Sequence, residues 1–184
     1  MIMSERESGP RTRAKSGIVI SSLRHLDQAL EQFEVRKVIS ILSKSESGRL
    51  PAVLFGDREV LRLEFDDCQH STENLVAPGK SDIEALIGFA RGWAGEGGVL
   101  AVHCRAGVAR SSAAALIAAA VIRPNHPDFL ARVARAKSFF RQNEAMLRFA
   151  DDLLGTSLVD LVRRLPYPDR LDQWSPAYIP IEIA

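Results

Sequence analysis

An α/β fold, with a central, mainly parallel sheet of four or five strands flanked by helices, is what this sequence predicts. Two observations lead there. Short β-branched runs alternate along the chain with stretches whose apolar residues recur at helical spacing, and such alternation puts helices in the crossovers between parallel strands. One apolar run also passes through a short glycine-containing loop straight into an alanine-rich helix, over residues 99–117. Open α/β sheets bind ligands at the carboxyl ends of their strands, where such a loop lies. A chain of 184 residues makes one domain of this kind, with a substantial core and no need of disulfides.

Residues 1–15 are polar, with Arg6, Arg11, Arg13 and Lys15 around Gly9 and Pro10, and read as a flexible N-terminal arm. The domain is expected over 16–165 and an extended tail over 166–184. Residues 17–21 form the first strand, and Leu26, Ala29, Leu30 and Phe33 fall at helical spacing behind Ser22, a ready cap. Residues 37–42 are a second strand and 43–49 a polar loop. In 60–65 the sequence alternates, with Leu61, Leu63 and Phe65 on one face of a third strand. Ser81 and Glu84 match a capping box. The helix they open has Ile83, Leu86, Ile87 and Ala90 as its stripe and the glycines of 95–98 as its stop. Residues 110–122 are apolar nearly all round, which predicts a buried helix. Helices at 128–140 and 143–154 follow, the second ended by Gly155, and 157–165 can form a last short one. Beyond it, Pro166, Pro168, Pro176 and Pro180 favour extended chain laid on the surface. The sequence contains no internal repeat.

The loop after the central strand carries Cys104, Arg105, Ala106, Gly107, Val108, Ala109 and Arg110, with His103 before it and Ser111 after it. A strand–loop–helix order sets backbone N–H groups at a helix N-terminus, where unpaired donors and the positive end of the dipole suit a phosphate-like anion. The same surroundings give the Cys104 thiol a reason to ionise. Arg110 offers a planar fork for two oxygens of one phosphoryl group. Gly107 sits where a nest of N–H groups needs positive φ or close approach.

As a pattern, His-Cys-x5-Arg-Ser from His103 to Ser111 resembles the phosphate-binding loop of the cysteine-dependent protein tyrosine phosphatase superfamily, most closely its small dual-specificity and bacterial-type branch. That resemblance implies a phosphatase-like, three-layer single domain and a two-step hydrolysis of phosphate monoesters. Cys104 attacks phosphorus, a cysteinyl phosphate forms, and water cleaves it. Loop N–H groups of residues 105–110 and the Arg110 guanidinium hold the charged oxygens, so no metal or cofactor is implied. Ser111 donates to the sulfur, and His103 supports the loop. The family's general acid is an aspartate on a loop after an upstream strand. Asp66 and Asp67 both occupy that place, and Asp67 is preferred because Asp67-Cys68-Gln69 matches the Asp-x-Gln of similar small enzymes. The Trp-Pro-Asp triplet of the large receptor-type enzymes is missing.

The substrates expected are phosphotyrosine or mixed phosphoproteins. The loop lacks the lysine pair of the phosphoinositide-directed relatives, and small phosphoesters, phosphoinositides and RNA ends stay open as alternatives. A rhodanese- or arsenate-reductase-like anion enzyme and a non-catalytic phosphate-binding module are the rivals from other classes. Cys68 is a candidate redox partner for Cys104, weighed against a plain filler of an apolar niche.

Composition bounds the rest. A net charge of +1 implies no global electrostatic attraction to nucleic acid or membrane, so no nucleic-acid partner is indicated. Two cysteines make neither a disulfide framework nor a tetrahedral zinc site. The most apolar run is too short for membrane insertion, and the first residues lack a signal-peptide pattern. A reducing, cytoplasmic setting is the expectation. Oligomeric state is left open.

Overall fold

Four parallel strands all end on the same side of the molecule, and that edge is where the loop of Cys104 lies. The computed structural model describes residues 16–48, 50, 52–137, 142–166 and 175–181, the side chains of 52 and 53 excepted. Within it β1 (Gly17–Ser22), β2 (Val35–Leu42), β3 (Glu59–Glu64), β4 (Val99–Cys104) and β5 (Ala177–Pro180) form one sheet in the order β3-β2-β4-β1-β5. β4 is the middle strand, paired in parallel with β1 and β2, and Ser22 lies opposite Cys104. Only β5 runs antiparallel. The mainly parallel α/β fold expected from the sequence is therefore present.

The helices are α1 (Leu26–Gln32), α2 (Lys44–Ser47), α3 (Lys80–Glu96), α4 (Ala109–Ile122), α5 (Pro127–Arg135), α6 (Glu144–Leu154) and α7 (Leu158–Arg164). Strand alternation sorts the core into two layers. Ile18, Ile20, Ile39, Ile41, Leu100 and Val102 face the larger one with α3 to α7. Val19, Val38, Val99 and Ala101 face the smaller one, with Leu26, Ala29 and Leu30 of α1 and Phe55. Helix α4 packs on β1, β2 and β4 and also touches α3, α5 and α6, and Ala113 to Ala120 are buried on every side. Small side chains let it approach the sheet and three helices at once.

Several boundaries differ from the sequence reading. The polar stretch after β2 contains α2, whose Glu46 reaches back to the Ser43 N–H at 3.1 Å. Ser43 and Glu46 are a capping box that overrides the loop-like composition. Helix α3 begins two residues earlier than the Ser81–Glu84 pattern implies, because Asp82 accepts the Gly79 N–H at 2.8 Å and closes the turn there. Helix α5 stops at Arg135 instead of running to 140. The side-chain amide of buried Gln142 takes the Ala134 carbonyl at 2.7 Å, which draws the chain back. Residues 138–141, like the N-terminal arm of 1–15, lie outside the described residues.

The tail supplies a strand. Ile179 pairs with Ile18, Tyr178 stacks on Phe33 at 4.9 Å, and a Cβ on Gly17 would lie 2.4 Å from the Tyr178 ring. At the sheet edge away from Cys104, buried Lys37 joins Glu59 at 2.5 Å and Glu96 at 2.9 Å. The hydrogen bond with Glu59 comes first among the causes that hold its ammonium above the ordinary value.

The packing around α4 makes one prediction. Ala118→Leu inserts a branched side chain into a site with no exposure, and such overpacking costs about 1–3 kcal/mol. A urea titration is expected to show a lower midpoint with an unchanged slope.

Candidate active site

Cys104 is the last residue of β4 and is 2% exposed. The Gly107 N–H donates to its sulfur at 3.3 Å, and Ser111 Oγ lies 3.3 Å from the same sulfur. The loop that makes these contacts turns sharply because Gly107 has φ +73°, a left-handed conformation glycine adopts without penalty. Space demands glycine as well. A Cβ there would stand 2.5 Å from the Ser22 nitrogen and 2.7 Å from the Ser21 carbonyl carbon. The loop is thus pressed onto the end of β1, where the Leu23 N–H also bonds Arg105 O at 3.2 Å. No side chain caps α4 at Val108, so its first-turn amides stay available to an anion.

Arg110, in the first turn of α4, is buried. One terminal nitrogen donates to Phe65 O at 2.7 Å, and the other lies 4.0 Å from Glu46 Oε2. Its Nε is buried without a hydrogen-bond partner among the described residues. Glu46 also takes Arg105 at 2.6 Å. Burial pushes the Glu46 carboxyl up, yet Arg105 and the Ser43 hydrogen bonds outweigh it and hold the group below its ordinary value. Glu46 was not singled out from the sequence. The signal was the Ser43–Glu46 box, which fixes the side chain close to the arginines of a loop remote in sequence.

His103 lies on the other face of β4 from Cys104, fully buried, with the Phe55 ring 6.4 Å away. Neither ring nitrogen makes a hydrogen bond of good geometry among the described residues, the adjacent Cys104 backbone being the one group that favours its charged form. Burial, with Arg62 and Arg110 adding to it, pushes the imidazole down to about 4, and the adjacent Cys104 backbone opposes this only in part.

The two aspartates after β3 differ. Asp66 exchanges hydrogen bonds with Val76: its N–H donates to Val76 O at 2.7 Å, and its Oδ2 accepts the Val76 N–H at 2.8 Å. That closes the irregular segment between β3 and α3. Asp67 is exposed, and its Oδ1 accepts from Asn143 Nδ2 at 2.9 Å. Asn143 in turn gives its backbone N–H to Ala109 O at 3.3 Å, so the Asp67 carboxylate is one residue's span from the loop. Asn143 too went unnoticed in the sequence except as the start of a helix. Cys68 is half-buried, and both cysteines are free thiols. Burial, then the Asp66 and Asp67 carboxylates, push the Cys68 thiol up against the pull of Arg110.

Beside the loop opens a cleft of about 590 Å³ lined by Leu23, Arg24, Glu46, Leu50, Arg105 and Ala106 among others. Among the described residues no group of three or more His, Cys, Asp or Glu could hold a metal ion. No described helix is long and apolar enough to cross a membrane.

The fold is that of dual-specificity and protein tyrosine phosphatase-like structures. No protein-family model matches the chain, and no curated protein matches it in sequence. Solved structures do. DUSP15 aligns with a TM-score of 0.53 at 19% identity, over 85% of this chain and 97% of its own. PTPMT1 in complex with PI(5)P aligns at 0.57 and 16%, over 80% and 93%. A putative dual specificity phosphatase from mouse, complexed with zinc tungstate, aligns at 0.54 and 13%, over 86% and 98%. At these identities the likeness is one of fold.

Two predictions follow from this geometry. Gly107→Ala is expected to abolish binding of vanadate at the loop, since the added Cβ and the positive φ both oppose the loop's shape; calorimetric titration checks it. For His103, the unfolded chain takes up the proton near pH 6.5 and the folded one only near 4, so its stabilisation is full above 6.5 and lost as the pH falls to 4. Urea titrations are expected to lose up to ~3 kcal/mol across that window in the wild type and much less in His103→Gln. Glu46 and Glu144, both held below the ordinary 4.5, lose their stabilisation only at lower pH.

Proposed function

We propose that this chain is a phosphate monoester hydrolase that works through a cysteinyl-phosphate intermediate on phosphotyrosine or mixed phosphoprotein substrates. One observation carries the reading. A buried guanidinium, Arg110, keeps an unpartnered Nε at the end of a tight loop that begins with a buried thiol. Leaving a buried charged donor unmet is costly, and an oxyanion seated in the loop is the acceptor that would meet it.

Each residue then has a task. Cys104 attacks phosphorus as the thiolate, and the P–O bond to the leaving group breaks. Loop amides and Arg110 neutralise the charge spread over the remaining oxygens. Ser111, 3.3 Å from the sulfur, donates its hydroxyl and makes the sulfur a better leaving group when water attacks. Asp67 gives a proton to the departing oxygen and later takes one from water. Asp66, spent on Val76 through both its N–H and Oδ2, suits a role in shaping the segment. His103 supports β4 as a neutral, buried ring.

A second reading, a substrate with further anionic groups such as a phosphoinositide, has one observation in its favour. Arg24, exposed in the cleft beside the loop, has no carboxylate partner among the described residues. PTPMT1, which shares the fold, was solved with PI(5)P.

The test is hydrolysis of para-nitrophenyl phosphate with a chelator present and no metal added. Turnover is expected in the wild type and none in Cys104→Ser. Arg110→Lys is expected to fail as well, because a point charge cannot replace the bidentate fork. Asp67→Asn is expected to slow a phosphotyrosine peptide by roughly 10²–10⁴ and the nitrophenyl ester far less, since an acidic phenol leaves without a proton. Near-wild-type rates in Cys104→Ser would overturn the assignment. A phosphoinositide turned over faster than the peptide, with that advantage lost in Arg24→Ala, would favour the second reading.

A further inference from the structure

Asn143 is 1% exposed, and nothing in the proposed chemistry uses it. It stands at the start of α6, where its Oδ1 accepts the Met146 N–H at 3.2 Å as an N-cap. That bond settles which way the amide points, because the oxygen must face Met146 and the nitrogen must face away. The nitrogen meets Asp67 Oδ1 at 2.9 Å and Cys68 O at 3.4 Å. The backbone N–H of the same residue reaches Ala109 O at 3.3 Å. A single buried residue therefore ties three things together: the loop that holds Cys104, the N-terminus of α6, and the carboxylate of an otherwise irregular segment.

We infer that Asn143 is the positioning residue for Asp67: its Nδ2 occupies Oδ1, so that Oδ2 is the oxygen that carries and delivers the proton. This rests on the reading of Asp67 as general acid. A carboxyl oxygen that already accepts an N–H is the poorer place for the acid's own proton, since the carbonyl-type oxygen is the better acceptor, and Oδ2 has no hydrogen-bond partner among the described residues. The donor also removes a rotational freedom. An exposed aspartate samples several rotamers, and holding one of its oxygens to a buried amide fixes the direction of the other relative to the loop. Because Asn143 is bonded to Ala109, any shift of the loop is passed to the acid, and the two halves of the site keep their spacing.

The amide's two functions can be separated. Asn143→Ser keeps an N-cap acceptor for Met146 but loses the donor to Asp67, and Asn143→Asp does the same with a carboxylate. Thermal unfolding of both is expected near wild type. Turnover of a phosphotyrosine peptide is expected to fall roughly 10- to 100-fold, with para-nitrophenyl phosphate much less affected. Adding Asn143→Ser to Asp67→Asn is expected to cause no further loss, since the acid through which it acts is already gone.

If Asn143→Ser and Asn143→Asp slow both substrates alike, or neither, while Asp67→Asn shows its leaving-group dependence, the positioning role is overturned and the acid assignment stands. Additive losses in the double variant overturn it too. If Asp67→Asn itself lacks that dependence, the acid assignment fails and takes this inference with it.

Discussion

The loop can sit where it does only because the chain comes within van der Waals contact of β1 at a residue with no side chain. β1 and β4 are neighbours in parallel, with Ser22 opposite Cys104, so a loop leaving β4 must either swing outward or fold over the end of β1. Gly107 lets it fold over, with φ +73° and its Cα pressed toward the Ser21–Ser22 peptide. The Leu23 N–H then clasps Arg105 O from the other strand's extension. Once the loop is turned inward, the Gly107 N–H points at the Cys104 sulfur, and α4 starts with its uncapped end over the same spot. Sulfur, amides and helix end converge because of that single steric allowance.

Charge follows the same economy of space. The cations beside the loop of Cys104 are Arg105 and Arg110. Behind the loop, burial first and then Arg62 and Arg110 keep His103 neutral down to about 4. Glu46 balances Arg105 at 2.6 Å and stands 4.0 Å from Arg110. Arg110 is thereby held with its Nε unpartnered among the described residues.

The segment between β3 and α3 obeys a different logic. It has no strand or helix of its own, and its shape comes from side chains bonding backbone: Asp66 with Val76, the Thr72 hydroxyl with the Asn74 and Leu75 amides, Ser71 with Ala77. Such local bonds make a loop rigid without making it part of the core. Asn143 is what connects that self-contained loop to the rest of the molecule at Asp67.

Periodicity alone placed β1, β2, β3 and β4, the stripe of α3, the buried character of α4 and the Gly155 end of α6, because burial on one face or all faces leaves a direct imprint on which residues are apolar. The spacing from His103 to Ser111 marked the loop for a similar reason: its residues are consecutive, and their geometry is set by the turn they make together. What the sequence could not determine is everything that depends on residues far apart in the chain. Glu46 beside Arg105 and Arg110, Phe65 O under Arg110, the Gln142 amide that ends α5 and the tail strand on β1 are products of packing. The preference for Asp67 over Asp66 rests on the family resemblance, and only the fold shows that one is bonded to Val76 and the other to Asn143. Local patterns record a residue's own burial and turn; a hydrogen bond across 76 positions, as from Asn143 to Asp67, exists only once the sheet and helices have brought its ends together.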